Sequence, residues 1–191
     1  MVISVPAYLA LLALVALERG GELVLSARNA RLARARGGVE TGQGHYPVMA
    51  AFHALFLVSC ALEVVLLHRP FPGAAGWVAL GVVLAAQALR YWAIGTLGWR
   101  WNTRIVVVPG ASPVTAGPYR FVRHPNYVAV IAEMVALPLV HGAWLTALVF
   151  SLGNAWILRV RIRAEERALG DAWRNAFAGR PRFVPGGQGG H

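Results

Sequence analysis

The chain has 191 residues, 57% of them hydrophobic, and a mean hydropathy of +0.53, which is too apolar for an ordinary soluble domain and reads as one membrane domain. All 18 basic residues are arginine and the net charge is +10; they punctuate apolar runs rather than cluster on a soluble face, which points to membrane topology and away from nucleic acid. Cys60 is the single cysteine, which excludes an intramolecular disulfide and a cysteine-based metal site.

Residues 2–17 are apolar, lack the basic start of a signal peptide and lead directly into Glu18, Arg19 and further arginines. The expectation is a retained first span running to about residue 25, with Glu18 and Glu22 near its inner end. Arg28, Arg31, Arg34 and Arg36 follow on a predicted short helix that ends at Gly37 and Gly38 and lies on the membrane surface. Residues 47–67 form the second predicted span, containing His53, Cys60 and Glu63 and closed by the turn HRPFPG; residues 74–92 form the third. The longest polar connection comes next, with Trp99 and Trp101 as interface anchors and a short strand over residues 105–108. Residues 127–140 and 143–158 are two further apolar runs separated by HGAW, a tight antiparallel helix hairpin in which Pro138 weakens the end of the first helix.

The arginines test this five-span layout independently. Alternation puts residues 19–45, 100–123 and 159–182 on one side and leaves only Arg69 in the turns opposite. By the positive-inside rule the N-terminus is then external and the C-terminus cytoplasmic. The arginine-for-lysine and Ala/Gly bias suggests a GC-rich bacterial genome, and hence a bacterial plasma membrane. The sequence GGQGGH at 186–191 reads as a disordered tip.

GPYRFVRHPNY, residues 117–127, packs a proline-fixed turn and a helix start into eleven residues ahead of an apolar run. Pro118 fixes the turn, and Pro125 suits a first helical position. The N–H groups of Asn126, Tyr127 and Val128, with Arg120, Arg123 and His124 beside them, make a place for an anionic group. By spacing alone the same residues also suit a plain membrane-entry loop. In the tail, RVRIRAEERALGDAW reads as a helix leaving the fifth span, with Arg161 and Glu165 one turn apart and Glu166 set against Ile162 and Arg163. Spacing alone makes that a solvated helix held by exposed pairs.

The first motif, two spans joined by a tight turn, and then RIRAEERAL resemble the isoprenylcysteine carboxyl methyltransferase family of integral-membrane enzymes, over roughly residues 91–185. The resemblance implies an all-α integral membrane fold of about five transmembrane helices. Residues 1–92 supply three spans and residues 93–185 a cofactor-binding core in which a cytoplasmic C-terminal helix closes over S-adenosylmethionine. It implies Tyr119, Arg123, His124, Pro125, Tyr127, Arg161, Glu165 and Glu166 as cofactor-binding residues. Val128 and Ala129 stand where many members have a glycine, and Trp173 and Phe177 where tyrosines are usual; PRFVP at 181–185 resembles the family's ending.

His45, Arg161 and Glu165 are the candidate catalytic residues, and Glu22, Asn29, His45 and Glu133 the candidate substrate residues. His45, in GHYP at the mouth of the second span, either takes a proton from an acceptor hydroxyl or is a lip histidine bonded to backbone. Glu133 lies about two turns into the fourth span, where an ionisable group is costly unless paired; it reads as a bridge to Arg159 or Arg90, or as a substrate contact. Glu63 reads as structural, and Glu18 and Glu22 as either arginine partners or substrate groups. The six histidines show no metal-ligand spacing.

The function expected is S-adenosylmethionine-dependent O-methylation of a lipophilic acceptor that enters from the membrane lipid: an alkyl-pyrone, an alkyl-phenol or a prenylcysteine-type carboxylate. RGGELVLSARN and GGVETGQGHYP in the N-terminal half resemble a bacterial branch linked to alkyl-pyrones and alkyl-resorcinols. The alternatives are phospholipid N-methylation, an NADPH-dependent membrane sterol-type reductase, whose members also carry an RHPNY-like stretch, and a non-enzymatic membrane scaffold.

Overall fold

The structure, a computed structural model, describes residues 2–42, 44 and 46–183. Five helices follow one another: α1 (Val5–Arg34), α2 (Tyr46–Leu66), α3 (Ala74–Leu97), α4 (Pro125–Leu139) and α5 (Trp144–Ala176). A short antiparallel ribbon joins β1 (Val39–Thr41) to β2 (Ile105–Val107), with Val39 opposite Val107 and Thr41 opposite Ile105. Among the described residues three helices, α2, α3 with the 3-10 turn that follows it, and α5, are long and apolar enough to cross a membrane. The 15-residue α4 is apolar but shorter, and α1 carries Glu18, Arg19 and Glu22 in its interior.

Ser4 starts α1 by accepting from the Ala7 amide at 3.4 Å, with Pro6 in the first turn. The helix then runs unbroken for 30 residues, about 45 Å. The separate surface helix expected around Arg28–Arg36 does not form. The C-terminal end of α1 is instead held by tertiary contacts: Asn29 donates to the Gly98 and Trp101 carbonyls at 3.1 and 2.8 Å, and Ser26 meets Thr103 at 2.9 Å. A helix anchored so on one face continues straight rather than bending onto the lipid. It stops where Gly37 turns back at φ 77° and the Gly38 amide reaches the Ala33 carbonyl.

The main core joins all five helices through Tyr8 and Leu12, Phe56 and Cys60, Val83, Leu137 and Phe150. At its outer edge Glu63 accepts from the Leu145 and Thr146 amides at 3.2 and 2.7 Å and pairs with Arg69 at 3.0 Å. A carboxylate on the first-turn amides of α5 fixes where that helix begins, so Glu63 is structural. Gly142, at φ 72° and with its Cβ position only 3.0 Å from the Pro70 carbonyl, makes the turn between α4 and α5.

The tail helix is not separate from the last span. α5 continues for 33 residues, about 50 Å, longer than a roughly 30 Å hydrocarbon core. Gly170 breaks the helical path at φ 70° and ψ −164°. Past that kink Trp173 and Phe177 fold back onto Tyr119 and Ala93.

Candidate active site

Gly117 opens the first motif at φ 55°, and a Cβ there would lie 2.3 Å from the Thr96 hydroxyl oxygen. Only glycine lets the 3-10 turn Gly117–Arg120 seat against α3. Pro125 is buried at the first position of α4, as its ring favours. The His124 carbonyl accepts from the Tyr127 and Val128 amides at 3.0 and 3.2 Å. Two of the three amides expected to face an anion are therefore already engaged, and the helix start offers less than its sequence suggests.

The two motifs meet through side chains. His124 Nε2 donates to Glu166 Oε1 at 3.0 Å, and Arg182 donates to the same carboxylate through Nε at 3.0 Å and Nη2 at 2.7 Å. The Tyr127 hydroxyl donates to Glu165 and accepts from Arg161 Nε at 2.9 Å, while Arg161 Nη2 donates to the Thr103 carbonyl at 2.6 Å. The local pairing expected for Glu166, against Ile162 and Arg163, gives way to these contacts across the fold. Burial raises the Glu166 carboxyl, but hydrogen bonds from His124 and Arg182 outweigh it and bring it down to about 2. Burial, then the Glu165 charge, pushes the Tyr119 hydroxyl up.

Residues 180–182 lie along the first motif as a strap. The Arg123 and His124 amides donate to the Pro181 and Arg182 carbonyls at 2.9 and 3.2 Å. Arg123 Nε donates to the Arg180 carbonyl at 2.6 Å, and Arg180 Nη1 to the Tyr119 carbonyl at 3.1 Å. Trp173 stacks at 5.5 Å from the His124 ring. Arg123 and Tyr119 thus sit in the motif's framework.

Beside the strap a groove of about 450 Å3 runs between α4 and α5, walled by Ile131, Met134, Ser151, Asn154, Arg163 and Arg182 among others. Leu158 and Ile162, which also line it, pack against Tyr127. Ser151 Oγ and Asn154 Oδ1 are buried there without a hydrogen-bond partner among the described residues. Neither was singled out in the sequence, although a polar Ser-x-x-Asn step inside an apolar span was visible.

Of the substrate candidates, Glu22 holds Arg90 through Nε and Nη2 at 2.5 and 2.6 Å. Asn29 anchors α1 as described above. Glu133 makes no salt bridge to Arg90 or Arg159 among the described residues; Arg19, at 3.6 Å, is its ion-pair partner, and Arg90 lines a small space with it. His45 lies outside the described residues.

Fold and site together define an integral membrane protein whose two separated motifs close on each other at one end of a helix hairpin. The chain belongs to the isoprenylcysteine carboxyl methyltransferase (ICMT) family, whose profile matches residues 77–171, starting earlier in α3 and ending earlier in the tail than the motifs alone suggest. It is 40% identical over 160 residues to the uncharacterized protein YpbQ of Bacillus subtilis, covering 83% of this chain and 94% of that one. An uncharacterized protein of Haemophilus influenzae is 28% identical over 148 residues, covering 77% of this chain and 86% of the relative.

Proposed function

We propose that the protein is an S-adenosylmethionine-dependent methyltransferase acting on a lipophilic oxygen acceptor, an alkyl-pyrone, alkyl-phenol or prenylcysteine-type carboxylate. Membership in a methyltransferase family gives the class, and the pairing of His124 with Glu166 and of Tyr127 with Glu165 is the observation that carries the reading. Two motifs 38 and 42 residues apart are brought together beside one groove, which a helix hairpin does not need for stability alone.

The groove suits an amphiphilic cofactor. Arg163 and Arg182 on its wall match a carboxylate, and the apolar wall with unpartnered Ser151 and Asn154 matches a base edge or an acceptor chain. The Glu165 and Glu166 carboxylates, bonded to Tyr127 and to His124 and Arg182, stand behind that wall and would meet an ammonium or ribose hydroxyls only by exchanging those partners. When bound, the sulfonium supplies an activated methyl group. The protein's part is to hold the acceptor oxygen in line with it and to keep water out. Tyr127, pinned by Arg161 and Glu165, keeps the groove floor rigid, and the strap 180–182 closes its cytoplasmic end.

In this reading α1 and α4 also lie within the bilayer, making five crossings with the N-terminus outside and the tail in the bacterial cytoplasm. Calorimetry with S-adenosylhomocysteine and with NADPH tests the reading. Binding of the first and not the second is expected; the reverse would assign the chain to hydride transfer.

A further inference from the structure

Behind Met134 lies a second, much smaller space, a void of about 20 Å3 reached by Arg19 of α1, His53 of α2, Arg90 of α3 and Glu133 of α4. A single water needs roughly 10–15 Å3, so the void takes one water or one hydroxyl oxygen. Met134 belongs to its wall and to the wall of the large groove, and so touches both. An unbranched thioether is easily moved.

The polar groups around the void are incomplete. Arg90 is 7% exposed, and its Nη1 is buried with no partner among the described residues; Arg19 Nε is likewise without one. Glu133 is 8% exposed and accepts no hydrogen bond among the described residues, its only ion pair being Arg19 at 3.6 Å. Of the other two carboxylates, Glu22 grips Arg90 with both oxygens. Glu18 accepts from Gln87 and lies 3.2 Å from Arg19 through Oε2, while its Oε1 is buried without a partner among the described residues; Glu18 is not one of the residues that line the void. Buried polar groups ordinarily find partners, so a donor and an acceptor left over around a water-sized void mark a place for a ligand that both accepts and donates.

Charge selects what happens there. Glu18, Glu22 and Glu133 face two guanidiniums, Arg19 and Arg90, so with all three ionised the cluster holds one carboxylate in excess. Gaining a proton brings it to balance. His53 also reaches the void, and its Nδ1–H donates to the Met49 carbonyl at 2.9 Å, which leaves Nε2 as an acceptor in the neutral ring.

We propose that the void receives the hydroxyl of a lipophilic acceptor entering past Met134, that Arg90 Nη1 donates to its oxygen, and that Glu133 takes its proton. This rests on the methyltransferase reading and gives that reaction its base. The acceptor O–H bond breaks and its proton moves to a Glu133 carboxylate oxygen. The acceptor oxygen then forms a bond to the methyl carbon as the carbon–sulfur bond breaks, the bonding pair staying on sulfur and cancelling its positive charge. Glu133 is six residues, about 9 Å along the axis, from Tyr127 on the same helix, so base and cofactor motif sit on one rigid element.

The test uses the full chain in detergent with a 4-alkyl-2-nitrophenol, whose phenol and phenolate forms differ in visible absorption. With no cofactor present, wild type is expected to bind the probe as phenolate at a pH where the free probe is largely phenol. Glu133→Gln should bind it as phenol, with S-adenosylhomocysteine affinity changed less than about twofold, and Glu133→Asp should restore part of the phenolate signal. His53→Gln should keep that signal. Turnover of a hydroxyl acceptor by Glu133→Gln should fall by about a hundredfold. An unchanged phenolate spectrum in Glu133→Gln, or its loss in His53→Gln alone, overturns the assignment to Glu133. Absence of S-adenosylhomocysteine binding by wild type instead removes the methyltransferase reading beneath it.

Discussion

The Tyr127 hydroxyl donates to the Glu165 carboxylate, 38 residues away in sequence, and receives the Arg161 Nε–H at 2.9 Å. One phenol thus ties the first motif to the second. Because Arg161 and Tyr127 are both buried, removing the hydroxyl strands a guanidinium N–H away from water. Tyr127→Phe should weaken S-adenosylhomocysteine binding by about 1–3 kcal/mol, read by calorimetry. An affinity equal to wild type would take this pair out of the cofactor site.

Glu166 gives a pH-dependent contribution with a defined sign. Its carboxyl stands at about 2 in the folded protein against an ordinary value of 4.5, so folding favours the ionised form. The stabilisation is fully present above about 4.5 and is lost as pH falls towards 2. Wild type should therefore melt above Glu166→Gln near neutral pH, and the gap in Tm should close progressively below pH 4.5. A gap that stays constant down to the lowest pH at which the protein folds would contradict the His124–Glu166–Arg182 arrangement.

Gly117→Ala tests the seating of the motif on α3. The substitution places a methyl group in a left-handed conformation, at a cost of roughly 1–2 kcal/mol, and against the Thr96 side chain. The variant should be destabilised by at least that amount in thermal unfolding. Gly117→Ala combined with Thr96→Ala, which removes the crowding hydroxyl and methyl groups but not the backbone strain, should recover only part of the loss.

Topology can be read with single cysteines in a Cys60→Ala background. Arg69 is the only arginine in the turns on the proposed outer side, whereas the α1 end, the 98–123 connection and the tail are arginine-rich. A membrane-impermeant maleimide added to intact cells should label Gly73→Cys and spare Asp171→Cys. The opposite pattern would turn the paired motifs away from cytoplasmic cofactor.

What the sequence made legible was set by local signals. The predicted second span at 47–67 is α2 within one residue at each end, and the hairpin at HGAW forms because Gly142 and Pro138 act where they stand. The expected strand at 105–108 is β2, but its partner Val39–Thr41 is too short to show any alternation. Pairings made across the fold were not readable. Local spacing offered Glu166 the side chains of Ile162 and Arg163, yet His124 and Arg182 hold it. Likewise the straight course of α1 depends on carbonyls at Gly98 and Trp101, about 70 residues from Asn29. The kink at Gly170 was open to reading, since a glycine at the end of a charged helical run is a natural stop.

The last prediction divides the groove between its two occupants. The part farther from the strap is formed by Ile131, Met134, Val135 and Ser151, and the part beside the strap by Arg163 and Arg182 with Ile162 and Phe183. An acceptor's alkyl chain belongs in the first part, where apolar burial contributes about 0.8 kcal/mol per methylene. A charged cofactor belongs in the second. Ser151→Trp fills the part farther from the strap without touching the paired motifs, so KM should rise for long-chain acceptors while S-adenosylhomocysteine affinity stays unchanged. Arg163→Ala should do the reverse, weakening the cofactor and leaving chain-length preference intact. Products labelled from radioactive S-adenosylmethionine then identify the acceptor oxygen, because methyl esters release methanol in base and aryl or enol ethers of this type resist it under mild conditions. If Ser151→Trp lowers cofactor affinity and leaves acceptor KM as it was, the acceptor chain does not lie between α4 and α5.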